Sequence, residues 1–140
     1  MAKGRPSIYS KKLAGRICDG LASGLSMRKI CFDEAFPAQT TIYRWLRENE
    51  EFRQQYTQAR TWQADTLFDE CLDIADDGSN DWMADKDSET GERYNGDAVA
   101  RSRLRVDTRK WMAGKLNAKK YGEKTDGDEV PKTMTVTWSE

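Results

Sequence analysis

The chain has 140 residues, of which 37% are hydrophobic and 34% charged, and its formal net charge is −1. This length allows one domain or two small units, and so high a charged fraction argues against one large apolar core. The chain contains no histidine, which excludes a histidine nucleophile or general base.

Further chemical classes are disfavoured by missing motifs. There is no Gly-x-x-x-x-Gly-Lys-[Ser/Thr] phosphate loop, so any ATP hydrolysis would belong to a partner. Cys18, Cys31 and Cys71 form no CxxC pair, and we expect small buried residues in a reducing compartment. No apolar run approaches the roughly 20 residues that span a bilayer. We therefore expect a soluble intracellular protein with no membrane partner, no metal, no cofactor and no catalytic residue.

The charges are segregated along the chain. Residues 1–47 carry nine Lys/Arg and three Asp/Glu, residues 48–100 carry four and fifteen, and residues 101–124 carry nine and two. The net charges are +6, −11 and +7, and residues 125–140 add −3. This pattern indicates a phosphate-seeking first block, an acidic middle and a basic late helix. The alternative is that neighbouring helices merely complement each other.

The first block begins with a short basic arm, residues 1–9. In Gly4-Arg5-Pro6 the proline keeps the backbone extended and the arginine could enter a narrow minor groove, although a flexible tail is an equal alternative. A first helix is predicted from about residue 10 to residue 23, capped by Ser10 and stopped by Gly24, because apolar residues recur at helical spacing. Those apolar residues are Leu13, Ile17, Cys18 and Leu21.

A helix-turn-helix is predicted next. Ser26 caps a short helix over residues 27–31, residues 32–38 form the connection, and a second helix covers residues 40–48 with Thr40 or Thr41 as its cap. Ile42, Trp45 and Leu46 face inward, as in helices that lie in the DNA major groove. We call residues 1–48 the head and predict that it is a DNA-binding domain.

The candidate DNA contacts are polar residues at the start of the last helix and basic residues around it. Arg44 and Arg47 could instead form a solvated face paired with Glu48 and Glu51. The full candidate set is Lys3, Arg5, Lys11, Lys12, Arg28, Lys29, Gln39, Thr40, Thr41, Tyr43, Arg44 and Arg47.

A long helix is predicted over residues 50–76, because this stretch contains no proline or glycine. It has more apolar surface than a head of some fifty residues needs, so a later helix or another subunit must cover it. Residues 77–96 are predicted to be a solvated acidic loop. Asp73, Asp76 and Asp77 lie where a helix end frays, so neither a calcium loop nor a nuclease magnesium site is favoured.

A basic amphipathic helix is predicted over residues 97–118, capped by Asp97 and packed antiparallel on the long helix. We call residues 49–122 the body and predict that it mediates oligomerisation. The candidate oligomerisation residues are Leu67, Phe68, Leu72, Leu104, Trp111, Met112, Leu116 and Val136. Val136 lies in a predicted tail, residues 123–140, whose segment 133–138 alternates like a β-strand. A single strand has no partner in its own chain, which favours oligomerisation over a frayed tail.

Together these segments resemble a known family. The order is a Gly-Arg-Pro-Ser arm, a helix-turn-helix ending in TTIYRWL, a long helix, a basic RLRVDTRKW helix and KKYGEK. It resembles the small terminase subunits of tailed bacteriophages, especially the short-tailed phages of enteric bacteria. The resemblance covers about residues 4–124, and its most specific parts are residues 103–111 and 119–124.

The resemblance implies a protein that recognises the packaging site on double-stranded viral DNA. It implies a ring of about eight or more copies that delivers DNA to the large terminase subunit, the ATPase and nuclease. The residues that it implies as DNA contacts are Arg5, Arg28, Lys29, Gln39, Thr41, Tyr43, Arg44 and Arg47. It also implies that the strand near Val136 joins a β-barrel between subunits, and that the protein acts in the cytoplasm of the infected bacterium and is absent from the mature virion.

The predicted fold is therefore mainly α, with a helix-turn-helix head, a long-helix hairpin for oligomerisation and a short C-terminal β-strand. Two other functions remain open. A helix-turn-helix transcriptional regulator would share the head and differ in assembly. A protein-interaction module would bind DNA only incidentally.

Overall fold

The computed structural model describes residues 4–123, so Lys3, Val136 and the predicted strand 133–138 lie outside the described residues. The predicted mainly helical fold, with its helix-turn-helix and helical hairpin, is confirmed. In chain order the elements are α1 (Lys11–Ala22), α2 (Met27–Phe32), α3 (Gln39–Glu48), α4 (Glu50–Asp76), β1 (Trp82–Ala84), β2 (Glu92–Tyr94), α5 (Gly96–Leu116) and α6 (Ala118–Tyr121).

The first two helices begin at the predicted serine caps. The Ser10 hydroxyl accepts a hydrogen bond from the Leu13 amide at 3.1 Å, and the Ser26 hydroxyl accepts one from the Lys29 amide at 3.1 Å. Each serine thus satisfies an amide that has no partner inside its helix. Gly24 follows α1 with φ +102°, the left-handed backbone that a helix stop requires.

Two predicted caps are wrong. α3 begins after Ala38, which makes no side-chain cap bond, so neither Thr40 nor Thr41 caps it. α5 is capped by Asn95, whose side-chain oxygen accepts from the Ala98 amide at 3.2 Å, and not by Asp97. In both places the chain enters the helix earlier than predicted, and the predicted cap lies within the first turn.

The core of the head extends beyond residue 48 onto α4. Ile17, Ile42 and Phe52 are fully buried and belong to one apolar cluster, which also contains Ala59 of α4. Trp45 lies between the edges of two other rings, with ring centroids 5.4 Å from Tyr9 and 6.5 Å from Phe52. α4 is therefore shared between the head and the body.

In the body, α5 runs antiparallel to the second half of α4. The Arg109 guanidinium donates to the Glu70 carboxylate at 2.6 Å, and the Cys71 thiol lies 3.7 Å from the Val106 carbonyl. Only part of the apolar surface of α5 faces α4. Ala113 is buried, whereas Leu104 and Trp111 are exposed, because at 3.6 residues per turn they lie on the opposite side of the helix.

Residues 77–96 are largely exposed, as predicted, but the predicted loop contains two short strands. β1 and β2 form an antiparallel hairpin with Trp82 opposite Tyr94, Met83 opposite Arg93 and Ala84 opposite Glu92. Aromatic side chains favour strands, and Gly91 reverses the chain with φ +79°. The acidic composition obscured two strands of only three residues each.

The three cysteines are half-buried rather than fully buried, and none forms a disulfide. Burial raises the pKa of the Cys18 thiol to about 11, so the thiol stays protonated at neutral pH. Within residues 4–123, no helix is both long and apolar enough to cross a membrane.

Candidate nucleic-acid interface

α3 presents a polar, basic face to solvent. Ile42 and Trp45 are buried in the head, whereas Tyr43, Arg44 and Arg47 are exposed. Neighbouring residues of a helix lie about 100° apart, so anchoring α3 through its apolar side turns these three side chains outward. This face can contact phosphates and base edges.

The polar residues at the start of α3 are only partly available. Thr40 is exposed, whereas Gln39 and Thr41 are half-buried. The Gln39 amide donates to the Tyr43 hydroxyl at 3.0 Å, which orients both side chains along the outer face. Of the predicted base-reading residues, Thr40 and Tyr43 are therefore the most accessible.

The arm lies against the head. The Arg5 guanidinium donates to the Cys31 carbonyl at 2.7 Å, and the Arg44 guanidinium donates to the Ser7 carbonyl at 3.2 Å. The Cys31 carbonyl belongs to the last turn of α2, where carbonyls lack partners within the helix. Arg5 thus satisfies the end of α2 in this conformation, and a minor-groove contact would require that this bond break.

The other basic candidates surround the helix-turn-helix. Lys11, Lys12, Arg28 and Lys29 are all exposed on α1 and α2. The Lys11 ammonium lies 3.8 Å from the Glu51 carboxylate, and both side chains are largely in solvent. Exposed pairs of this kind are weak, so this contact leaves Lys11 available to a phosphate.

Two arginines that the sequence analysis did not select hold the interface in shape. The Arg53 guanidinium donates to the Leu46 and Arg47 carbonyls at 3.0 and 2.9 Å, which ties the end of α3 to α4. Arg16 lies over the Phe36 ring at 4.8 Å and holds the α2–α3 connection against α1. The Arg53 contact could have been found from the sequence, because Arg53 lies only six and seven positions after the residues whose carbonyls it bonds. The Arg16 contact joins segments that are distant in the sequence, and no sequence pattern indicates it.

The turn between α1 and α2 is anchored to α4. The Gln63 side chain is fully buried, and its amide donates to the Leu25 carbonyl at 2.9 Å. The Thr66 hydroxyl donates to the Ala22 carbonyl at 2.6 Å. These bonds fix the orientation of the helix-turn-helix relative to α4.

The predicted oligomerisation residues divide into three groups. Leu67 is buried within the chain and has no surface to offer to another subunit. Met112 and Leu116 are half-buried. The exposed group consists of Phe68, Leu72, Leu104 and Trp111, whose exposed fractions range from 50% to 65%.

A shallow groove lies beside part of this exposed group. Phe68 and Trp111 line it together with Tyr121, whose ring stacks on Phe68 with centroids 4.7 Å apart. The Tyr121 hydroxyl and the Lys120 ammonium both donate to one oxygen of Asp65. These bonds, the Tyr121 one foremost, lower the pKa of the Asp65 carboxyl. They hold α6 against α4.

The fold and these surfaces define a class, a small helix-turn-helix protein whose α3 helix is carried on a helical-hairpin body with exposed apolar side chains. Residues 9–128 match the family model described as bacteriophage Sf6, terminase small subunit-like. The chain belongs to this family of terminase small subunits, and a role in viral genome packaging follows from that membership.

Solved structures agree with the family assignment. Two crystal structures of single-residue variants of the terminase small subunit gp1 of the bacterial virus Sf6 match with 36% identity. A third variant of the same protein matches with 35% identity. Each match covers 96% of this chain and 95% of the Sf6 chain, with a TM-score of 0.68. No curated protein sequence matches the chain.

Proposed function

We propose that this terminase small subunit recognises packaging-site double-stranded DNA through the exposed face of α3. The carrying observation is that Tyr43, Arg44 and Arg47 are exposed on one side of α3 while Ile42 and Trp45 anchor the other. Lysines and arginines of α1 and α2 are exposed as well and would bind backbone phosphates. The proposed role is non-enzymatic, with ATP hydrolysis and cleavage supplied by the large terminase subunit.

We propose further that the body assembles copies into a ring of about eight or more. Phe68, Leu72, Leu104 and Trp111 are at least half exposed, and large apolar side chains clustered at a surface mark an interaction site. A ring requires that two different faces of one subunit meet. Phe68 of α4 and Trp111 of α5 line one groove, and this surface would meet a different face of the next copy.

The proposed roles follow the chain. Residues 1–48 bind DNA, residues 49–122 assemble the ring, and residues 123–140 form a tail. The ring would act in the cytoplasm of the infected bacterium, deliver DNA to the large subunit and be absent from the mature virion. Single heads have few base-reading side chains, so selectivity would come from several heads bound to one DNA.

Substitution of Arg44 and Arg47 tests the DNA interface. The double variant Arg44→Ala/Arg47→Ala should bind duplex DNA more weakly. The slope of log affinity against log salt should fall in magnitude by about 0.9 for each phosphate contact that is lost. Fluorescence anisotropy at several salt concentrations measures both quantities. Arg93→Ala, an exposed arginine of β2, is the matched control and should bind like the wild type.

An Arg44→Ala/Arg47→Ala protein with unchanged affinity and salt dependence would contradict the DNA-reading face and favour a protein-interaction module. Assembly distinguishes the packaging subunit from a transcriptional regulator. Native mass spectrometry of the full chain should give a ring of about eight or more subunits. A stable dimer would instead support the regulator.

A further inference from the structure

The β1–β2 hairpin forms a separate surface at the end of the body. All six strand residues are exposed, and among residues 4–123 the two strands pack on each other and on no helix. The Tyr94 ring lies close to Gly96, at the start of α5. An isolated two-stranded hairpin is marginally stable in water, so one that protrudes in this way is better explained by a partner that covers it.

The hairpin carries an aromatic pair inside an acidic segment. Trp82 and Tyr94 face each other across the strands with ring centroids 6.0 Å apart, and they are 60% and 58% exposed. Residues 77–96 contain six acidic and two basic residues. Aromatic faces attract guanidinium groups, and carboxylates pair with them. The surface therefore suits a partner that is rich in arginine and has some apolar area.

The first half of α5 has these properties. Arg101 and Arg103 are exposed, and within residues 4–123 neither forms an ion pair. Leu104 lies beside them and is 54% exposed. Arg101 and Arg103 are five and seven residues from Gly96, or about 8 to 11 Å along the helix. The two complementary surfaces thus lie at nearly the same level of one body.

Rotation about a ring axis keeps every residue at its own height along that axis. With the body helices along the ring axis, the hairpin of one subunit lies near the level of Arg101 and Arg103 in the next. We propose that the β1–β2 hairpin docks on the first half of α5 of the neighbouring copy, with Trp82 and Tyr94 against Leu104 and the acidic tip of the hairpin against Arg101 and Arg103. The inference rests on the ring assembly proposed above and names one of its contacts.

Two charge-reversal variants test this contact. Asp87→Lys/Glu89→Lys makes the hairpin tip basic, and Arg101→Glu/Arg103→Glu makes the first half of α5 acidic. Each variant alone places like charges across every contact. The protein concentration at which half of the chains are assembled should therefore rise about tenfold in 0.15 M salt. Acidic residues are tolerated near the start of a helix, and circular dichroism should show unchanged helix content.

Mixing the two variants in equal amounts should restore assembly. In an alternating ring, every basic hairpin tip meets an acidic α5 and every acidic tip meets a basic α5. A contact within one chain cannot be rescued by mixing. Analytical ultracentrifugation of the full chain measures the assembled fraction. Lys86→Glu, at the hairpin tip, is the matched control and should assemble at least as well as the wild type.

The outcomes separate the two proposals. Failure of the wild type to assemble at any concentration would overturn the ring and this contact together. A wild-type ring that both charge-reversal variants form equally well would overturn the hairpin contact alone. Two impaired variants that do not recover on mixing would also overturn it, because the two surfaces would then not face each other.

Discussion

The buried side chain of Gln63 joins the α1–α2 turn to α4, and its removal should loosen the head. The side-chain amide donates to the Leu25 carbonyl at 2.9 Å, and the side-chain oxygen accepts from the Arg60 guanidinium at 2.8 Å. In Gln63→Leu, the side chain keeps nearly the same volume and loses both bonds. Arg60 retains its bond to the Tyr56 hydroxyl at 3.0 Å, so the Leu25 carbonyl bears most of the loss.

A partly buried carbonyl that loses its partner costs about 1–3 kcal/mol, and the added apolar area of leucine offsets part of this. We expect Gln63→Leu to lower the free energy of unfolding by about 1–2 kcal/mol. For a chain of this size, the midpoint of thermal unfolding should then fall by roughly 3–6 °C. Amide exchange should accelerate most in the α1–α2 turn, because that turn loses its anchor.

Urea unfolding at one fixed protein concentration measures the change, since assembly makes stability depend on concentration. Gln58→Leu is the matched control, because Gln58 is exposed on the same helix, and it should stay within about 0.5 kcal/mol of the wild type. If Gln63→Leu unfolded like this control and its amide exchange in the turn were unchanged, the anchoring role of Gln63 would be refuted.

Two further predictions concern a glycine pair and a pH response. Gly24→Ala should destabilise the chain by about 1–2 kcal/mol, because Gly24 has φ +102°. Gly15→Ala within α1 should instead stabilise the chain by about 0.5–1 kcal/mol, because a Cβ there meets nothing within 4 Å. Chemical denaturation measures both changes, and equal effects would contradict the argument from backbone strain at Gly24. The pKa of Asp65 is lowered in the fold, chiefly by the Tyr121 hydroxyl, so its stabilising contribution is complete above the unfolded-state pKa and is lost as the pH falls below about 4. Asp65→Asn should lack this acid-dependent loss, and identical pH profiles of stability for the two proteins would contradict the assignment.

Features of this fold that depend on near neighbours in the sequence could be predicted. Ser10 and Ser26 cap amides three residues ahead of them, and Gly24 ends α1 in a left-handed conformation. The helical spacing of Leu13, Ile17 and Leu21 predicted the buried side of α1, because apolar residues recur with the helical period in a helix that packs on one side.

Features that depend on distant contacts could not be predicted. Arg5 bonds a carbonyl 26 residues away, whereas its sequence context predicted either a contact with DNA or a place in a flexible tail. α5 carries apolar side chains on two sides, and periodicity alone does not say which side faces α4. Once Ala113 is found buried, Trp111 must point away. The hairpin strands were too short to stand out from the acidic residues around them.

The candidate DNA interface shows the same division. The outward direction of Arg44 and Arg47 follows from the inward direction of Ile42 and Trp45, which is a local property of α3. The contact between Arg44 and the arm carbonyl of Ser7 spans 37 residues and required the structure. Arg44 therefore has two possible partners, the arm and a phosphate.

The continuity of α4 has a mechanical consequence. Its 27 residues run without interruption from Glu50 to Asp76, from the core of the head, which contains Phe52, to the start of the hairpin segment, a length of about 40 Å. Such a helix acts as a lever arm, and a tilt of about 1° at one end moves the other by roughly 0.7 Å at that length. A small tilt at a contact between the bodies of two copies would therefore displace α3. The displacement would be comparable to the variation in length that a hydrogen bond tolerates. In the proposed function, DNA binding by α3 and assembly of the body would then be mechanically coupled in each subunit.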